Sequence, residues 1–428
     1  MSKTEIKAHL VQYGCRLNQA EGSSLISSMP KKNIVSSALD EADYIIFNTC
    51  TVTNKADQQS LYEIRRAKRI NPLAKIIVTG CFASTDKSKL SLLPEVDHIF
   101  DNNQKSGILD FIASNITPEA NPFSYSFSNR VNKSRVSIKI QDGCNRNCSY
   151  CKIPQARGKA VSRPFQQVLN EAESRIKQGY NELILTGVNM GWYRTTDIDF
   201  SSLLQKICNL EGLFHVRLSS IEPGSLRNNF FEVFHHHKVA QFLHVPLQSG
   251  ADKVLRAMKR GYTKQSFLDR IEKVKSQNPL IHLGTDIIVG FPGESTEDFE
   301  ESCQYLQKLE FSNIHIFPYS SRNNTSIQKK IEEQEVIPVD KLIIRERVKK
   351  LQAIKADLYK SYLKKTASNY FKAVVEQKQD RFIAVTENYI KVPLPVDDDY
   401  LAGDYVRIQY NEQGKCLNVQ ALDRKLAS

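Results

Sequence analysis

The sequence predicts an α/β protein in three parts: an N-terminal parallel α/β domain, a central partial (β/α)6 barrel and a small C-terminal β-barrel. Three observations predict this arrangement. The first part alternates short apolar runs with polar stretches of helical pattern, and the second repeats a strand followed by a helix about six times. The third consists of short strands in which apolar and polar residues alternate.

Residues 1–115 contain the apolar runs of a small parallel sheet, separated by polar helical stretches such as Lys55–Ile70. The runs are His9–Tyr13, Tyr44–Phe47, Ile76–Val78 and Val96–Phe100. Cys15, Cys50 and Cys81 each follow one of the first three runs within a few residues. Because the carboxyl ends of parallel strands share one edge, we expect the three thiols to meet there and form a metal-cluster site. The alternative is three separately buried cysteines.

Residues 116–134 contain Pro118, Pro122 and several serines, a composition that predicts a linker. Residues 135–365 follow, with the barrel strands and a trailing basic helix. The predicted strands are Val136–Ile140, Leu183–Leu185, Val216–Leu218, Phe242–Val245, Leu283–Val289 and Ile314–Phe317. Six such units make an open barrel, so functional groups belong at the carboxyl ends of its strands.

The first barrel strand leads into the loop Gly143–Cys151, which carries Cys144, Cys148 and Cys151. Zinc usually takes four protein ligands in a closed site, whereas an iron–sulfur cluster is held by thiolates and can leave one iron open. The sequence has no fourth Cys or His nearby. The loop therefore predicts an iron–sulfur cluster whose open iron takes part in chemistry.

The basic helix that trails the barrel covers 339–365, and the usual interpretation of such a helix is a solvated connector. Residues 366–428 then predict a small β-barrel of a size that often binds oligonucleotides. Its predicted strands are Tyr370–Val375, Phe382–Thr386, Tyr389–Val392 and Tyr405–Tyr410, arranged around Asp397–Asp399.

Composition limits the compartment and the partners. Nine cysteines without a secretory signal favour reduced thiols and the cytoplasm, and no apolar run is long enough to span a membrane. Lys plus Arg exceed Asp plus Glu by 59 to 47, which gives a net charge of +12. Such a charge favours a polyanionic partner, with nucleic acid the first candidate, although many soluble proteins are mildly basic for other reasons.

Short motifs along the whole chain carry a family resemblance. They are Gly14–Asn18, Asn48–Cys50, Gly80–Cys81, Gln141–Cys144, Ser162–Pro164, Pro246–Gly250, Gly290–Glu294 and Phe317–Ser320. Together with the Cys144, Cys148, Cys151 spacing, they resemble the methylthiotransferase family of radical S-adenosylmethionine (SAM) enzymes. The family's C-terminal barrel is a TRAM domain.

The resemblance implies two [4Fe-4S] clusters and SAM as cofactors. Cys15, Cys50 and Cys81 would bind an auxiliary cluster where the transferred sulfur is assembled. Cys144, Cys148 and Cys151 would be the catalytic cysteines, whose cluster binds the SAM that yields a 5′-deoxyadenosyl radical. A second SAM would supply the methyl group.

Polar residues at later strand ends are then candidate SAM contacts: Thr186, Gly187, Asn189, Glu222 and Gln248. The first three would present a backbone edge to the adenosyl group. Glu222 would meet a ribose hydroxyl or the ammonium, and Gln248 would reach the same ligand. Each residue type suits a structural turn or cap equally well.

Within the family, Asn48–Asp57 resembles the branch that acts on N6-threonylcarbamoyladenosine at position 37 in the tRNA anticodon loop. This implies tRNA, a reductant such as a flavodoxin or ferredoxin, and a sulfur donor as partners. The sister branches act on isopentenyladenosine in tRNA or on an aspartate of a ribosomal protein. A further alternative is a non-catalytic iron–sulfur protein that binds RNA.

Two stretches depart from the family pattern. Val161 stands where relatives usually carry a basic residue, and Ser321–Thr325 replaces a more familiar Arg-Pro-Gly-Thr. We expect the first to affect a SAM contact and the second to alter a loop at the barrel mouth. The remaining thiols, Cys208, Cys303 and Cys416, are predicted to be packing residues, and His235–His237 is predicted to be a surface segment of a helix.

Overall fold

The computed structural model describes residues 5–124, 134–395 and 399–423. Part of the predicted linker (125–133), Asp397 and Asp398, and the last five residues of the predicted C-terminal barrel lie outside the described residues. The chain divides into two compact units. The first contains residues 5–124, 139–163 and 320–328, and the second contains 134–138, 164–319 and 329–423. The boundaries 1–115, 135–365 and 366–428 remain a prediction.

The described residues form eighteen strands. They are β1 (Ile6–Gln12), β2 (Ile34–Ser36), β3 (Tyr44–Thr49), β4 (Lys75–Gly80), β5 (His98–Ile99), β6 (Val136–Lys139), β7 (Gln141–Asp142), β8 (Val161–Ser162), β9 (Glu182–Thr186), β10 (His215–Leu218), β11 (Phe242–His244), β12 (His282–Val289), β13 (Asn313–Pro318), β14 (Tyr370–Lys378), β15 (Arg381–Thr386), β16 (Lys391–Pro393), β17 (Tyr405–Tyr410) and β18 (Cys416–Asp423).

The same residues form fourteen α-helices. They are α1 (Arg16–Ser28), α2 (Asn54–Ile70), α3 (Cys81–Thr85), α4 (Lys87–Ser91), α5 (Ile108–Ser114), α6 (Ile153–Arg157), α7 (Phe165–Lys177), α8 (Phe200–Cys208), α9 (Asn228–Phe234), α10 (Asp252–Ala257), α11 (Lys264–Gln277), α12 (Thr296–Leu309), α13 (Ser326–Glu332) and α14 (Lys341–Thr366). None of these described helices is both long and apolar enough to cross a membrane.

The N-terminal sheet is parallel, in the order β2-β1-β3-β4-β5, which confirms the predicted α/β fold. Successive residues of β3 point to opposite faces. Ile45 and Phe47 pack in a core with α2, and Ile46 packs in a second core that includes Leu25 and Ile108. Covering both faces leaves the strand ends as the accessible edge of the sheet, where loops can carry function.

The barrel strands form two three-stranded sheets, β6-β9-β10 and β11-β12-β13. Bridges from Val216 to Val239 and from Ser220 to His244 connect the edge strands β10 and β11, and the resolved strand pairs are parallel. This confirms the partial (β/α)6 barrel. The helix α12 begins with a reciprocal capping box between Ser295 and Asp298.

The C-terminal strands form a five-stranded antiparallel sheet in the order β16-β15-β14-β17-β18, consistent with the predicted TRAM domain. The interpretation of the basic helix as a solvated connector was wrong. One side of α14 is buried, and Tyr362 and Leu363 belong to the core of the antiparallel sheet. Leu351 and Ile354 are also buried, whereas Leu342, Ile343 and Tyr359 are exposed.

The remaining thiols and histidines lie mostly where the sequence predicted. Cys208 and Cys303 are buried, and Cys416 is half-buried against the C-terminal core. His235–His237 lies at the surface, but in the turn after α9 rather than on a helix.

Burial of His282 makes stability depend on pH. Its ring stacks on Tyr362 with centroids 4.3 Å apart, and burial lowers the pKa of His282 to about 4. Because the unfolded chain binds this proton more readily, stability is lost as pH falls from about 6.5 toward 4. We expect His282→Gln, whose side chain does not titrate, to remove about 2 kcal/mol of the loss between pH 7 and pH 5. Urea unfolding at both pH values measures this, and an unchanged pH dependence would contradict it.

Candidate functional site

The first three cysteines lie at one edge of the parallel sheet. Gln12, Asn48 and Thr79 are in register at the ends of β1, β3 and β4. Cys15 precedes α1, Cys50 directly follows β3, and Cys81 begins α3. The register thus delivers three thiols to neighbouring loops, as the sequence pattern predicted.

Two glycines permit the close approach of these loops. A Cβ atom on Gly14 would lie 2.9 Å from the Cys50 sulfur, and one on Gly80 would lie 2.3 Å from the Thr49 carbonyl oxygen. Both residues also have a positive φ, of 94° and 100°, which disfavours any other residue. The Gly-Cys pairs of the sequence therefore reflect a steric requirement of this edge.

The three thiols influence one another. The pKa of Cys50 is raised to about 11, mainly by burial, and Cys81 and Cys15 contribute to the rise because neighbouring thiolates repel. Cys15 as a residue is exposed, but its thiol is surrounded by protein, and this burial raises the pKa of Cys15. Arg157 lowers that pKa and Cys81 raises it. Three thiolates in this position require a cationic group to stabilise them, as an iron cluster does.

A buried ion network borders this edge. Glu21 accepts hydrogen bonds from Lys105 at 2.5 Å, Lys139 at 2.6 Å and Arg157 at 2.9 and 3.1 Å. Burial alone would raise the pKa of Glu21, but Arg157, Lys105 and Lys139 hold it well below its ordinary value. Arg157 also donates to Asp142, which lies two residues before Cys144. The network therefore ties the first cysteine edge to the second cysteine loop.

The second loop holds Cys144, Cys148 and Cys151 half-buried between β7 and α6. Backbone N–H groups of Arg146 and Ile153 donate to the sulfurs of Cys144 and Cys151, each at 3.4 Å. Such donors favour the thiolate form that binds metal. The loop is closed by the N–H of Cys144, which donates to the Gly158 carbonyl at 3.1 Å.

The donor sets fit clusters better than single ions. Each triad supplies three thiols, whereas a structural zinc site usually closes with four protein ligands. Three thiolates can each bind a different iron of an iron–sulfur cube and leave the fourth iron open.

The five candidate SAM contacts all lie in the second unit, at the ends of β9, β10 and β11. Thr186 and Asn189 are buried. Gln248 has a φ of 72° and pairs through its backbone with β12. Glu222 accepts two hydrogen bonds from Arg260, both at 2.8 Å, so its carboxylate already has an ionic partner. Their assignment to SAM remains a prediction.

The sequence reading missed Arg322, which anchors the loop after β13. Its guanidinium is buried and donates to Thr51, Asn54 and Asp57, the last at 2.8 Å. Asn54 in turn donates to the Ser321 carbonyl at 2.8 Å. The segment Ser321–Thr325, although it departs from the family pattern, is therefore hydrogen-bonded to the Asn48–Asp57 stretch. Val161 is exposed on β8, where it pairs with Asp142.

A second missed cluster consists of His244, Asp286 and His315 on three adjacent strands. No single stretch of sequence signals this cluster, because each member stands alone on its own strand and only the parallel pairing of the strands brings the three together.

Comparison with known proteins gives the family. A family description named Radical SAM superfamily matches residues 138–306, and one named Uncharacterized protein family UPF0004 matches residues 7–101. A threonylcarbamoyladenosine tRNA methylthiotransferase of Bacillus subtilis is 33% identical to this chain. The aligned region covers 94% of this chain and 93% of that enzyme. The chain belongs to the radical SAM methylthiotransferase family.

Other relatives carry two different names. The threonylcarbamoyladenosine enzyme of Aquifex aeolicus is 32% identical over 95% of this chain and 98% of its own. A tRNA-2-methylthio-N(6)-dimethylallyladenosine synthase of Campylobacter jejuni is 33% identical over 87% and 88%, respectively.

Among solved structures, the radical SAM methyltransferase TsrM of Kitasatospora setae has a TM-score of 0.58 at 13% identity, covering 78% of both chains. This likeness supports the fold of the methylthiotransferase. Membership of the family implies a [4Fe-4S] cluster and SAM, and the half-buried loop of Cys144, Cys148 and Cys151 offers a fitting donor set for that cluster.

Removing Arg322 should leave Asp57 buried without its cation. We expect Arg322→Met to destabilise the methylthiotransferase by about 3 kcal/mol, as breaking a buried pair does. The matched control is Arg66→Met, which removes an exposed pair with Glu63 and should cost less than about 1 kcal/mol. Urea unfolding compares them, and equal losses would contradict a buried anchor.

Proposed function

We propose that this protein is a tRNA methylthiotransferase that converts N6-threonylcarbamoyladenosine at position 37 to its 2-methylthio derivative. The observation that carries the proposal is the pair of three-cysteine sites within one compact unit, joined by the network around Glu21. One site suits radical generation and the other suits sulfur assembly. The names of full-length relatives support the acceptor, and the net charge of +12 suits a nucleic acid.

The proposed division of labour assigns each triad one task. Cys144, Cys148 and Cys151 would hold a cluster that would supply the electron for reductive cleavage of SAM, the radical chemistry that activates an aromatic C–H bond. Such a C–H bond has no usable pKa, so side-chain acids and bases cannot activate it. Cys15, Cys50 and Cys81 would hold an auxiliary [4Fe-4S] cluster where the transferred sulfur is assembled, and a second SAM would supply the methyl group.

The chain's own residues hold these groups in place. Backbone N–H donors stabilise the thiolates of Cys144 and Cys151. Arg157 favours the thiolate of Cys15 and links the two sites through Glu21 and Asp142. The reaction also requires a reductant, such as a flavodoxin or ferredoxin, and a sulfur donor. We place it in the cytoplasm, where cysteines stay reduced.

The second candidate acceptor is dimethylallyladenosine in tRNA. It is favoured by the relative from Campylobacter jejuni, whose identity of 33% equals that of the relative from Bacillus subtilis. Identity alone therefore does not separate the two acceptors.

Mass spectrometry of tRNA nucleosides from cells with and without the gene tests the acceptor. We expect deletion to remove 2-methylthio-N6-threonylcarbamoyladenosine and to accumulate its unthiolated precursor. Loss of the methylthio derivative of dimethylallyladenosine instead would favour the second candidate. An unchanged tRNA profile would contradict both.

Replacing Cys144, Cys148 and Cys151 together with Ala tests the division of labour. We expect reductive cleavage of SAM to 5′-deoxyadenosine to be abolished, while about half of the bound iron remains on the N-terminal triad. We expect the opposite result for Cys50→Ala, which should retain reductive cleavage of SAM and lose sulfur transfer. Cys416→Ala, a half-buried thiol outside both triads, is the control. Cleavage by the triple variant would reverse the assignment.

A further inference from the structure

The three strands β11, β12 and β13 carry a polar cluster on one face. The Asp286 carboxylate oxygen Oδ1 accepts from His244 Nε2 at 3.0 Å and from His315 Nδ1 at 3.1 Å. The two imidazole rings stack with centroids 5.0 Å apart. Burial increases across the cluster from His315, whose side chain is 50% exposed, through Asp286 at 22% to His244 at 6%.

This face of the sheet is open to a ligand. Along β12, Leu283, Thr285 and Ile287 are buried on the opposite face, whereas Asp286 and Ile288 keep accessible surface. Gly284 lies beside His244, where a Cβ atom would come within 2.8 Å of Nδ1. The His244 ring packs closely against Gly284 and is hydrogen-bonded to Asp286, which together fix its orientation. The His315 side chain is half exposed.

The hydrogen bonds determine which nitrogen is exposed. Burial would raise the pKa of Asp286, but the hydrogen bonds from His244 and His315 hold it below its ordinary range, so the carboxylate is ionised. An ionised carboxylate only accepts, so His244 Nε2 and His315 Nδ1 both carry protons. The other nitrogen of His315, Nε2, belongs to a half-exposed side chain and can form a hydrogen bond with a ligand.

The cluster adjoins a segment already predicted to bind SAM. The Gln248 N–H donates to the Asp286 carbonyl at 2.8 Å, and the Gln248 carbonyl accepts from Ile288 at 3.0 Å. Two residues beyond His315, Phe317 is also partly exposed and meets the His315 ring edge to face at 6.4 Å. An imidazole beside an accessible aromatic ring suits a nucleobase that carries a polar substituent.

We propose that His315, oriented by Asp286 and His244, binds the threonylcarbamoyl substituent of the acceptor base and thereby selects it over dimethylallyladenosine. The inference rests on the proposed function and specifies its acceptor. A threonylcarbamoyl group has a carboxylate, a hydroxyl and a urea, so it can form a hydrogen bond with Nε2 of His315. A dimethylallyl group is a hydrocarbon, so it would displace water from the imidazole of His315 without replacing that water's hydrogen bond, which disfavours the apolar analogue.

A divalent metal ion is the competing occupant. Two histidines and one carboxylate form a known metal-binding set, and donor separations near 3 Å suit neighbouring positions of an octahedral ion. The shared oxygen of Asp286, however, lies within hydrogen-bond distance of both nitrogens. This geometry favours a hydrogen-bonded cluster without a metal ion.

The test measures binding of three anticodon stem-loops to the reconstituted holoenzyme. They carry threonylcarbamoyladenosine, dimethylallyladenosine or adenosine at position 37. We expect the unaltered enzyme to prefer the first, and His315→Leu to weaken that binding about tenfold while leaving the adenosine stem-loop unchanged. His315→Gln, which keeps a donor, should retain part of the preference, and Asp286→Asn should lose part of it by releasing the ring.

The matched control is His235→Leu, an exposed histidine in the turn after α9, which should leave the ratio of the three affinities unchanged. An unaltered ratio in His315→Leu, with intact iron content, would overturn the inference. The inference would also be overturned if the unaltered enzyme bound one equivalent of zinc or manganese and the His315→Leu variant bound none. If the unaltered enzyme methylthiolates threonylcarbamoyladenosine while His315→Leu keeps the preference, only the inference fails. If the enzyme does not modify that base, the proposed function fails with it.

Discussion

The buried carboxylate of Glu21 is the constraint on which the first compact unit depends. It lies on α1 and is fully enclosed by Lys105, Lys139 and Arg157, which come from three other segments. Charges removed from water are costly unless each finds an opposite partner with good geometry. Here the partners meet only when the N-terminal sheet and the segment around the second cysteine loop are both folded. The network therefore favours one specific assembly of the two segments.

The same network sets the electrostatic environment of the thiols. Lys105, Lys139 and Arg157 face the carboxylates of Glu21 and Asp142, which leaves one positive charge in excess when all five groups are ionised. The charge of Arg157 acts on Cys15, and Cys81 acts on both Arg157 and Lys105. A positive excess beside sulfur ligands favours their deprotonated, metal-binding form. Structural and chemical roles thus fall on the same residues.

The sequence predicted the features that depend on short periods. Short continuous apolar runs located the parallel strands, and the rule that parallel strands end at one edge placed Cys15, Cys50 and Cys81 together. Pairings across long separations could not be predicted in this way. Glu21 meets Lys139 across 118 residues, and Arg322 meets Asp57 across 265. A charged residue in a polar stretch looks like a surface residue until its distant partner is known. The His244, Asp286 and His315 cluster was missed for the same reason, since each member is isolated on its own strand.

Arg322 changes how the Asn48–Asp57 stretch is understood. This stretch indicated the acceptor, yet Thr51, Asn54 and Asp57 are hydrogen-bonded to Arg322 within the protein. Side chains engaged in this way are not available to contact a modified base. If the stretch distinguishes branches of the family, it does so by fixing the loop 320–328, which packs in the same unit as both cysteine sites. Under the proposal above, the substituent would instead be bound by His315 on the accessible polar face of β12 and β13.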